Sequence, residues 1–248
     1  MQNKDIKQVY AKLVSGIKDY FEKNKFHMAV IGLSGGLDSA LSAKLVADAV
    51  GKENIKALIM PLKGLSSEET IMDAVEFCTF TGIEYSLVFI NDFVDGFKKI
   101  EWEQSKVAQM NTIARVRAVI LYNYANTNNA LVIGTSNKTE ILLGYFTKYG
   151  DGAVDIEVIG DLLKTEVREL AKFLGINDKI INKVPTAELY HGQTDEKELR
   201  ASYEDIDKIL KKIGNKENID ENDQLAKNIM KRIKDNEHKR SMPMVLKG

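Results

Sequence analysis

The sequence predicts an α/β protein built on a doubly wound parallel sheet with helices on both faces. Short apolar segments alternate along the chain with longer segments in which apolar residues recur at helical spacing. Crossovers between parallel strands are right-handed and cover both faces of a sheet, so this alternation indicates the class. Two apolar segments also end in glycine-rich turns, and Pro61, Pro185 and Pro243 all fall between predicted elements.

The first part of the chain alternates helix and strand. Apolar residues recur at helical spacing over 6–21, so we expect an opening amphipathic helix. The apolar run 27–32 ends in glycines and predicts a strand, and the helical pattern of 39–50 follows that turn. A second apolar run over 55–60 stops at Pro61 and predicts the next strand.

The pattern continues up to the middle of the chain. Ser66 and Glu69 have the spacing of a capping box, which predicts a helix that starts there and reaches about Thr81. The following apolar patterns predict a strand over 83–90, a helix over 106–125 and a strand over 131–134.

Beyond Gly175 the chain becomes polar and rich in lysine. Apolar residues at helical spacing over 199–213 and over 225–233 predict helices appended to the sheet. Just before Gly175, the helical spacing of four apolar residues predicts one more helix: Val167, Leu170, Ala171 and Leu174. We therefore expect a single domain over 1–248, with an α/β core over 1–175 and a helical extension over 176–248.

Composition excludes several classes of protein. Lys and Arg number 35 against 36 Asp and Glu, which argues against a chain that mainly coats nucleic acid or anionic lipid. The single cysteine, Cys78, forms neither an internal disulfide nor a CxxC metal site. No signal-peptide pattern opens the chain, and no stretch reaches the roughly 18 apolar residues of a membrane span. The sequence therefore predicts a cytoplasmic protein.

The turn after the first predicted strand reads GLSGGLDSA over 32–40. It opens a helix, so main-chain N–H groups can point into one concavity at the positive end of the helix dipole and bind an anion. Gly35 and Gly36 allow close approach of a phosphate. A carboxylate beside a phosphate is repulsive unless a divalent cation lies between them, so Asp38 predicts Mg²⁺. A plain turn with Asp38 as a helix cap is the alternative.

This turn resembles the SGGxDS pyrophosphatase loop of ATP-dependent, AMP-forming ligases, and its spacing is neither that of a Walker loop nor GxGxxG. Further segments follow in the order seen in ammonia-dependent NAD⁺ synthetases, and the resemblance spans residues 27–243. These segments are GTSNKTE from Gly134, GYFTKYGDG from Gly144, LLKTEVRELAKFLGI from Leu162, PTAEL from Pro185 and HKRSMP from His238.

The resemblance implies an adenine nucleotide alpha hydrolase-like fold and a two-step reaction. In the first step the carboxylate of deamido-NAD⁺ (nicotinate adenine dinucleotide) attacks ATP, which releases pyrophosphate and forms an acyl-adenylate. In the second step ammonia attacks the adenylate, which releases AMP and leaves NAD⁺. The only thiol downstream of residue 27 is Cys78, so we expect free ammonia rather than an attached glutaminase to supply the nitrogen.

The resemblance also assigns an ATP site. The implied contacts are Gly32, Leu33, Ser34, Gly35, Gly36, Leu37, Asp38, Ser39, Thr135, Lys164 and Thr186. Asp38 and Glu140 form the implied Mg²⁺ pair, because each follows a strand end and carboxylates suit that ion. Without the resemblance, Glu140 is better explained as a solvated first-turn side chain that the helix dipole favours. Lys164 opposes the dipole of its helix and needs an anionic partner, which is Asp161 or Glu166 across solvent or, by resemblance, a phosphate.

Five residues are implied to bind deamido-NAD⁺: Arg115, Lys148, Asp155, His238 and Lys239. Taken alone, Arg115 and Arg117 are ordinary surface arginines, and the polar tail that carries His238 and Lys239 suggests disorder. Asp151 is the candidate to hold ammonium and take its proton, because only neutral NH₃ is nucleophilic. A turn aspartate is the alternative for Asp151. The predicted catalytic residues are thus Asp151 and Lys164.

Two other functions stay open. One is a sister ligase of the same superfamily, tRNA-thiolating or GMP-forming, although the lone thiol and the lack of a basic surplus disfavour thiolation. The other is an ATP-binding sensor without chemistry, which has little need of two metal-positioning carboxylates. We expect small-molecule substrates, no nucleic acid and no membrane partner, mobile loops over 63–67 and 182–195, and, from the resemblance, a homodimer.

Overall fold

The computed structural model describes residues 3–220 and 222–246, so the ends of the predicted 1–248 domain lie outside it. Within the described residues, five parallel strands form one sheet in the order β3-β2-β1-β4-β5. The strands are β1 (Met28–Gly32), β2 (Ile55–Ile59), β3 (Glu84–Leu87), β4 (Ala130–Gly134) and β5 (Ile156–Glu157). The predicted α/β class is confirmed.

Helices precede, connect and follow these strands. Around the sheet lie α1 (Asn3–Asn24), α2 (Leu37–Val50), α3 (Glu68–Thr81), α4 (Asn91–Asp95), α5 (Lys106–Asn128), α6 (Lys138–Leu143) and α7 (Lys164–Phe173). Beyond residue 175 lie α8 (Asp178–Ile181), α9 (Asp195–Leu199), α10 (Tyr203–Gly214), α11 (Gln224–Asp235) and α12 (Glu237–Arg240). Two single turns of 3₁₀ helix cover Lys52–Asn54 and Gly96–Lys99.

Helix α3 starts differently from the sequence prediction. Its N-cap is Ser67, whose Oγ accepts a hydrogen bond from the Thr70 N–H at 3.1 Å. Ser66 instead accepts from the Leu62 N–H at 3.1 Å and closes the preceding turn. The predicted capping box of Ser66 and Glu69 is therefore wrong by one residue, because adjacent serines present the same local signal.

Two strands also differ from prediction. The strand predicted over 83–90 ends at Leu87, although the Val88 N–H still donates to Ile59 O at 2.8 Å. Strand β5 was not predicted, because two residues are too few to show a period. It forms by pairing Ile156 and Glu157 with the end of β4.

Side chains of the sheet alternate between two apolar clusters. Ala29 and Ile31 of β1 pack with α1, α2, α3 and α7 on one face, and Val30 packs with α5 on the other. Burial on both faces explains why the central strands read as continuous apolar runs. A third cluster joins α6, α10 and α11. Ile180 and Ile181 of α8 belong to the first cluster, although they lie beyond the predicted boundary at 175, which remains a prediction.

The strand order reverses between β1 and β4, which makes this pair the topological switch point. Ile31 of β1 pairs with Ile133 of β4, so the turns after both strands leave the sheet side by side. In a sheet of this kind ligands bind at that edge. Along the described residues, no helix is long and apolar enough to cross a membrane.

Candidate functional site

Two connected cavities lie at the carboxyl ends of β1 and β4. The larger, about 280 Å³, is lined by the glycine turn, the end of β2, the face of α5 around Arg117, and the segments 150–154 and 183–189. The smaller, about 150 Å³, is lined by polar residues, among them Asp38, Glu140 and Lys164. Ser34, Thr135, Asp151, Lys183 and Thr186 line both.

The glycine turn is closely packed against α3. Gly35 has φ +74°, and a Cβ built on it would lie 2.2 Å from the carbonyl oxygen of Thr70. Ser34 and Ser39 bond within the turn: their hydroxyls are 3.0 Å apart, and the Ser39 hydroxyl donates to Gly36 O at 3.0 Å. The serines also accept from the turn itself, since the Ser34 N–H donates to Ser39 Oγ at 3.2 Å and the Gly36 N–H donates to Ser34 Oγ at 3.3 Å. The serines therefore hold the turn's shape, and the N–H groups in the first turn of α2 are the ones that can face an anion.

Asp38 does not cap its helix, so the alternative interpretation of this residue is wrong. The N-cap of α2 is Gly36, with no side-chain capping bond. The Asp38 carboxylate turns instead to the loop after β4, where Asn137 Nδ2 donates to Oδ1 at 3.0 Å. The turns after the two central strands are thus bonded to each other through Asp38.

Lys164 lies between the two carboxylates of the predicted metal pair. Its Nζ forms an ion pair with Asp38 Oδ2 and lies 3.5 Å from Glu140 Oε1. The Lys164 side chain is only 3% exposed. The solvent partners considered from the sequence are wrong, because Asp161 pairs with Lys138 at 2.7 Å and Glu166 accepts from the Leu163 N–H.

Burial and the neighbouring charges shift the pKa values of Glu140 and Lys164. Burial and repulsion from Asp38 raise the pKa of Glu140 to about 8, although Lys164 acts in the opposite direction. Burial by itself would lower the pKa of Lys164, but Asp38 and Glu140 outweigh it and hold that pKa above its ordinary value. The raised pKa of Glu140 indicates that the site favours more positive charge than Lys164 supplies.

The donor set fits Mg²⁺. Two carboxylates from neighbouring turns converge on the position of one cation, and Mg²⁺ is commonly held by one or two carboxylates plus water and substrate phosphates. No group of three or more His, Cys, Asp or Glu that could hold a metal occurs among the residues that the structure describes. Water and phosphate would therefore supply the remaining ligands of an ion held by Asp38 and Glu140.

Asp195 is a buried carboxylate that sequence reasoning missed. It lines the smaller cavity and is 5% exposed. Tyr145 donates to its Oδ1 at 3.2 Å and Tyr203 to its Oδ2 at 3.0 Å. Burial raises its pKa, against the opposing effect of Lys164. Tyr203 lies only eight residues along the chain, but Tyr145 is 50 residues away, so no local pattern in the sequence indicates that the carboxylate is buried between the two tyrosines.

Asp151 lines both cavities, as expected of a residue that acts on a substrate. Its Oδ1 accepts from the Thr147 N–H at 2.8 Å. Desolvation by the surrounding protein raises the pKa of the Asp151 carboxyl, whereas the Thr147 N–H, Lys239 and Arg117 act to lower it. The carboxylate therefore faces the cavities with cations nearby.

Arg117 is a cavity residue, and its interpretation as a surface arginine is wrong. Its Nε donates to the carbonyl of Met60 at 3.1 Å, and the side chain faces Asp151 and Glu188. Burial lowers its pKa, which these two carboxylates oppose. Ala114 and Leu121, three and four residues from Arg117 on the same face of α5, line the larger cavity with it, but helical spacing alone does not show that this face is the buried one.

The segment 182–195 supplies a second missed cation. Lys183 lines both cavities, and its Nζ lies 2.8 Å from Asp73 Oδ2 and 2.9 Å from Thr70 Oγ1. Thr186 also lines both cavities, as Thr135 does, and its Oγ1 accepts from the Glu188 N–H at 3.1 Å. Both predicted ATP-binding threonines thus face the same space as the glycine turn.

Four of the five predicted dinucleotide residues come together. Lys148 Nζ donates to the carbonyls of His238 and, at 3.2 Å, Ser241, and Arg115 donates to the Lys148 carbonyl at 3.2 Å. Lys239 Nζ donates to the Gly144 carbonyl at 2.7 Å. The tail is therefore bonded to the loop after α6 rather than free.

Asp155 lies apart from these four. Its Oδ2 accepts from the Val132 N–H at 2.7 Å, and its Oδ1 accepts from the Tyr122 hydroxyl at 3.1 Å. It lines neither of the two cavities described. The carboxylate joins β4 to α5, and its contact with a substrate stays a prediction.

The chain is similar to known proteins over nearly its whole length. A family model described as NAD synthase matches residues 9–243. The NH(3)-dependent NAD(+) synthetase of Archaeoglobus fulgidus is 48% identical over 216 residues, which cover 87% of both chains.

Two solved structures superpose closely on this fold. The NMN synthetase from Francisella tularensis matches with a TM-score of 0.89 and 33% identity, covering 97% of this chain and 98% of that one. The NH3-dependent NAD synthetase from Campylobacter jejuni matches with a TM-score of 0.83 and 34% identity, covering 98% and 99%. The similarity in fold thus extends over the sheet and the helices that follow it.

Proposed function

The chain belongs to the NAD synthase family, and on that premise we propose that it amidates deamido-NAD⁺ with free ammonia and ATP to make NAD⁺. One observation supports the proposal more than any other. Asp38, Glu140 and Lys164 converge beside a main-chain anion cradle at the switch point of the sheet. That arrangement suits transfer of an adenylyl group from a metal-bound triphosphate, which needs little beyond positioning and charge stabilisation.

In the first step an oxygen of the substrate carboxylate attacks the α-phosphorus of ATP. The bond from that phosphorus to the bridging oxygen breaks, and pyrophosphate leaves with the electron pair. Main-chain N–H groups of the glycine turn and the Lys164 ammonium stabilise the charge that develops on the leaving group. Mg²⁺ held by Asp38 and Glu140 would supply further neutralisation of the phosphate oxygens.

In the second step ammonia attacks the acyl carbon of the adenylate, and AMP leaves. Asp151 is the proposed group that holds ammonium and accepts its proton, since it lines both cavities. Its raised pKa makes it a better base than an ordinary aspartate. Loops 63–67 and 182–195 would exclude water, which otherwise hydrolyses the adenylate.

The dinucleotide would bind beside the tail. Arg115, Lys148 and Lys239 lie together with His238, and these three cations offer positive charge to the two phosphates of the substrate. Asp155 completes the predicted set without lining a cavity. A homodimer in which the substrate lies across the interface is part of the proposal, with no nucleic-acid or membrane partner.

A second substrate has a specific observation in its favour. The superposition is closer on the structure named as an NMN synthetase than on the one named as an NAD synthetase. The corresponding acid, nicotinate mononucleotide, carries the same reactive carboxylate and lacks the second nucleotide. It is therefore the rival to test against deamido-NAD⁺.

The test measures AMP release with purified enzyme and Mg·ATP. We expect release only when deamido-NAD⁺ and an ammonium salt are both present, with NAD⁺ formed in equal amount. A higher kcat/KM with nicotinate mononucleotide would reassign the substrate. AMP release driven by a guanylate precursor or by tRNA would favour a sister ligase, and ATP binding without any AMP release would favour a sensor.

A further inference from the structure

A buried carboxylate of α10 lies behind the proposed metal pair. Asp207 is 1% exposed, and it lines neither cavity. Both of its oxygens have partners: the Thr139 hydroxyl donates to Oδ1 at 2.5 Å, and the Thr165 N–H donates to Oδ2 at 2.8 Å. Its neighbours on α10, Ile206, Ile209 and Leu210, belong to the third apolar cluster.

The partners of Asp207 belong to the first turns of two helices. Thr139 lies in the first turn of α6, and Thr165 is the second residue of α7. Thr139 Oγ1 also accepts from the Lys164 N–H at 3.0 Å, so a chain of hydrogen bonds runs from Lys164 through Thr139 to Asp207. A carboxylate is favourable there, because helix N-termini present unpaired N–H groups and positive potential.

Each of these two partners of Asp207 is next in the chain to a residue that faces the proposed ATP site. Glu140 follows Thr139 in the chain, and Lys164 precedes Thr165. We propose that Asp207 is a positioning residue: by binding Thr139 and Thr165 it fixes Glu140 and Lys164 relative to each other. This inference rests on the proposed function, because it deepens the account of the same site.

Two further features distinguish Asp207 from ordinary core packing. An aliphatic side chain would fill the space at a lower desolvation cost, so the carboxylate contributes contacts rather than volume. Tyr203, one turn earlier on the same face of α10, places its ring 5.1 Å from Lys164 Nζ and donates to Asp195. The same helix face thus contacts the site at two points.

The variant Asp207→Asn keeps the shape of the side chain but cannot accept from both Thr139 and Thr165. We expect kcat to fall and the Kd of Mg·ATP, measured by calorimetry, to rise by roughly 10- to 100-fold each, as for residues that orient metal ligands. The matched control is Ile206→Val, a neighbour on α10 that is also 1% exposed. It should lower Tm without changing kcat or the Kd of Mg·ATP.

A second pair of variants tests the hydrogen-bond chain and remains informative if Asp207→Asn folds poorly. Thr139→Ser keeps the hydroxyl and should retain near-normal kcat, whereas Thr139→Val removes it and should reproduce the loss. Adding Thr139→Val to Asp207→Asn should cause little further loss, because both break one chain.

Reduced Tm with unchanged kcat and unchanged Mg·ATP affinity in Asp207→Asn and in Thr139→Val would overturn the proposal. Equal kcat in Thr139→Ser and Thr139→Val would do the same. Mg·ATP affinity is measured without the second substrate, so this inference and the proposed reaction can fail separately. A wild-type enzyme that releases no AMP contradicts the reaction, while the affinities still report on positioning.

Discussion

Lys164 and a magnesium ion would compete for the same negative charge. The ammonium lies between Asp38 and Glu140, which are also the only carboxylates proposed to hold the ion. Removing one partner of a buried ion pair leaves a charge without compensation, which is costly. The lysine therefore has two roles in this account: it stabilises the metal-free fold, and it contacts phosphate during the reaction.

Replacing Lys164 by Met separates these roles. We expect kcat to fall roughly 100-fold or more, because one donor to the leaving group is lost. We also expect Mg²⁺ alone to raise the Tm of Lys164→Met more than that of the wild type, because two buried carboxylates lack a counter-ion. The control is Lys138→Met, whose partner Asp161 is exposed. An equal Mg²⁺ effect on wild type and Lys164→Met would contradict this assignment.

The raised pKa of Glu140 makes the free energy of unfolding decrease as the pH rises. Its pKa is about 8 in the folded protein against an ordinary 4.5, so between these values the folded state holds a proton that the unfolded chain releases. Stability from this group is therefore complete below pH 4.5 and is lost as the pH rises toward 8. Asp38, Asp195 and Lys164 are the charges that face it.

The measurement compares urea unfolding of wild type and Glu140→Gln in the presence of a chelator. Between pH 5 and pH 8 the wild type should lose more free energy of unfolding than the variant, by an amount on the order of 3 kcal/mol. Titrating groups that do not face Glu140 cancel in the difference, since both proteins carry them. Parallel pH profiles would show that Glu140 is ionised throughout.

The glycine turn depends on one backbone position. Because Gly35 has φ +74° and Thr70 O occupies the place of its Cβ, Gly35→Ala must displace the turn or α3. We expect a loss of about 1–3 kcal/mol of stability. We also expect at least a roughly 10-fold rise in the Kd of Mg·ATP, because each hydrogen bond to a charged phosphate contributes about 1.5–3 kcal/mol.

Gly175→Ala is the matched control for this turn. Gly175 has φ +71°, and no atom lies within 4 Å of the place of its Cβ. Gly175→Ala therefore carries the same cost of a non-glycine residue at positive φ, but its Cβ clashes with no atom. Gly175 lines neither cavity. The Gly175→Ala protein should be less stable than the wild type but should bind Mg·ATP with unchanged affinity. Normal affinity in Gly35→Ala would show that the turn is not the phosphate site.

Local patterns predicted the elements well where a period or a turn signal extends over several residues. The glycine turn, α2 and the central strands belong to this group. Local patterns failed where one residue decides, as at Ser67, or where an element is too short to show a period, as in β5. Arg117 was missed for a related reason: helical spacing separates the faces of α5, but only packing decides which face is buried.

At the scale of the molecule, the site is completed by helices far along the chain. Asp38 and Glu140 follow recognisable strand ends, so their convergence could be predicted from the α/β class. Asp195 and Asp207 join them through Tyr145 and Thr139, which lie 50 and 68 residues away along the chain. No pattern in one segment carries such contacts, because they arise only when the C-terminal helices pack on α6 and α7.

Several large apolar side chains stay exposed outside this packing. They lie on α4, on α5 and on the segment between these two helices, which contact each other, and they are 40–70% exposed: Phe93, Phe97, Trp102, Val107 and Val119. Exposed apolar side chains on neighbouring elements favour an interaction site. Val119 lies one helical turn from Arg115, a predicted dinucleotide contact, so a partner bound at Val119 would adjoin the substrate.

The proposed homodimer makes this surface testable with Val119→Glu. We expect the wild type to sediment as a dimer at micromolar concentration and Val119→Glu as a monomer, because a charge would be buried without a partner. Its KM for deamido-NAD⁺ should rise while the Kd of Mg·ATP stays unchanged, since the proposed ATP contacts line cavities within one chain. Met230→Glu, at a partly exposed position on α11, should remain a dimer. A monomeric wild type with full activity would refute the dimer and place the whole dinucleotide site in one subunit.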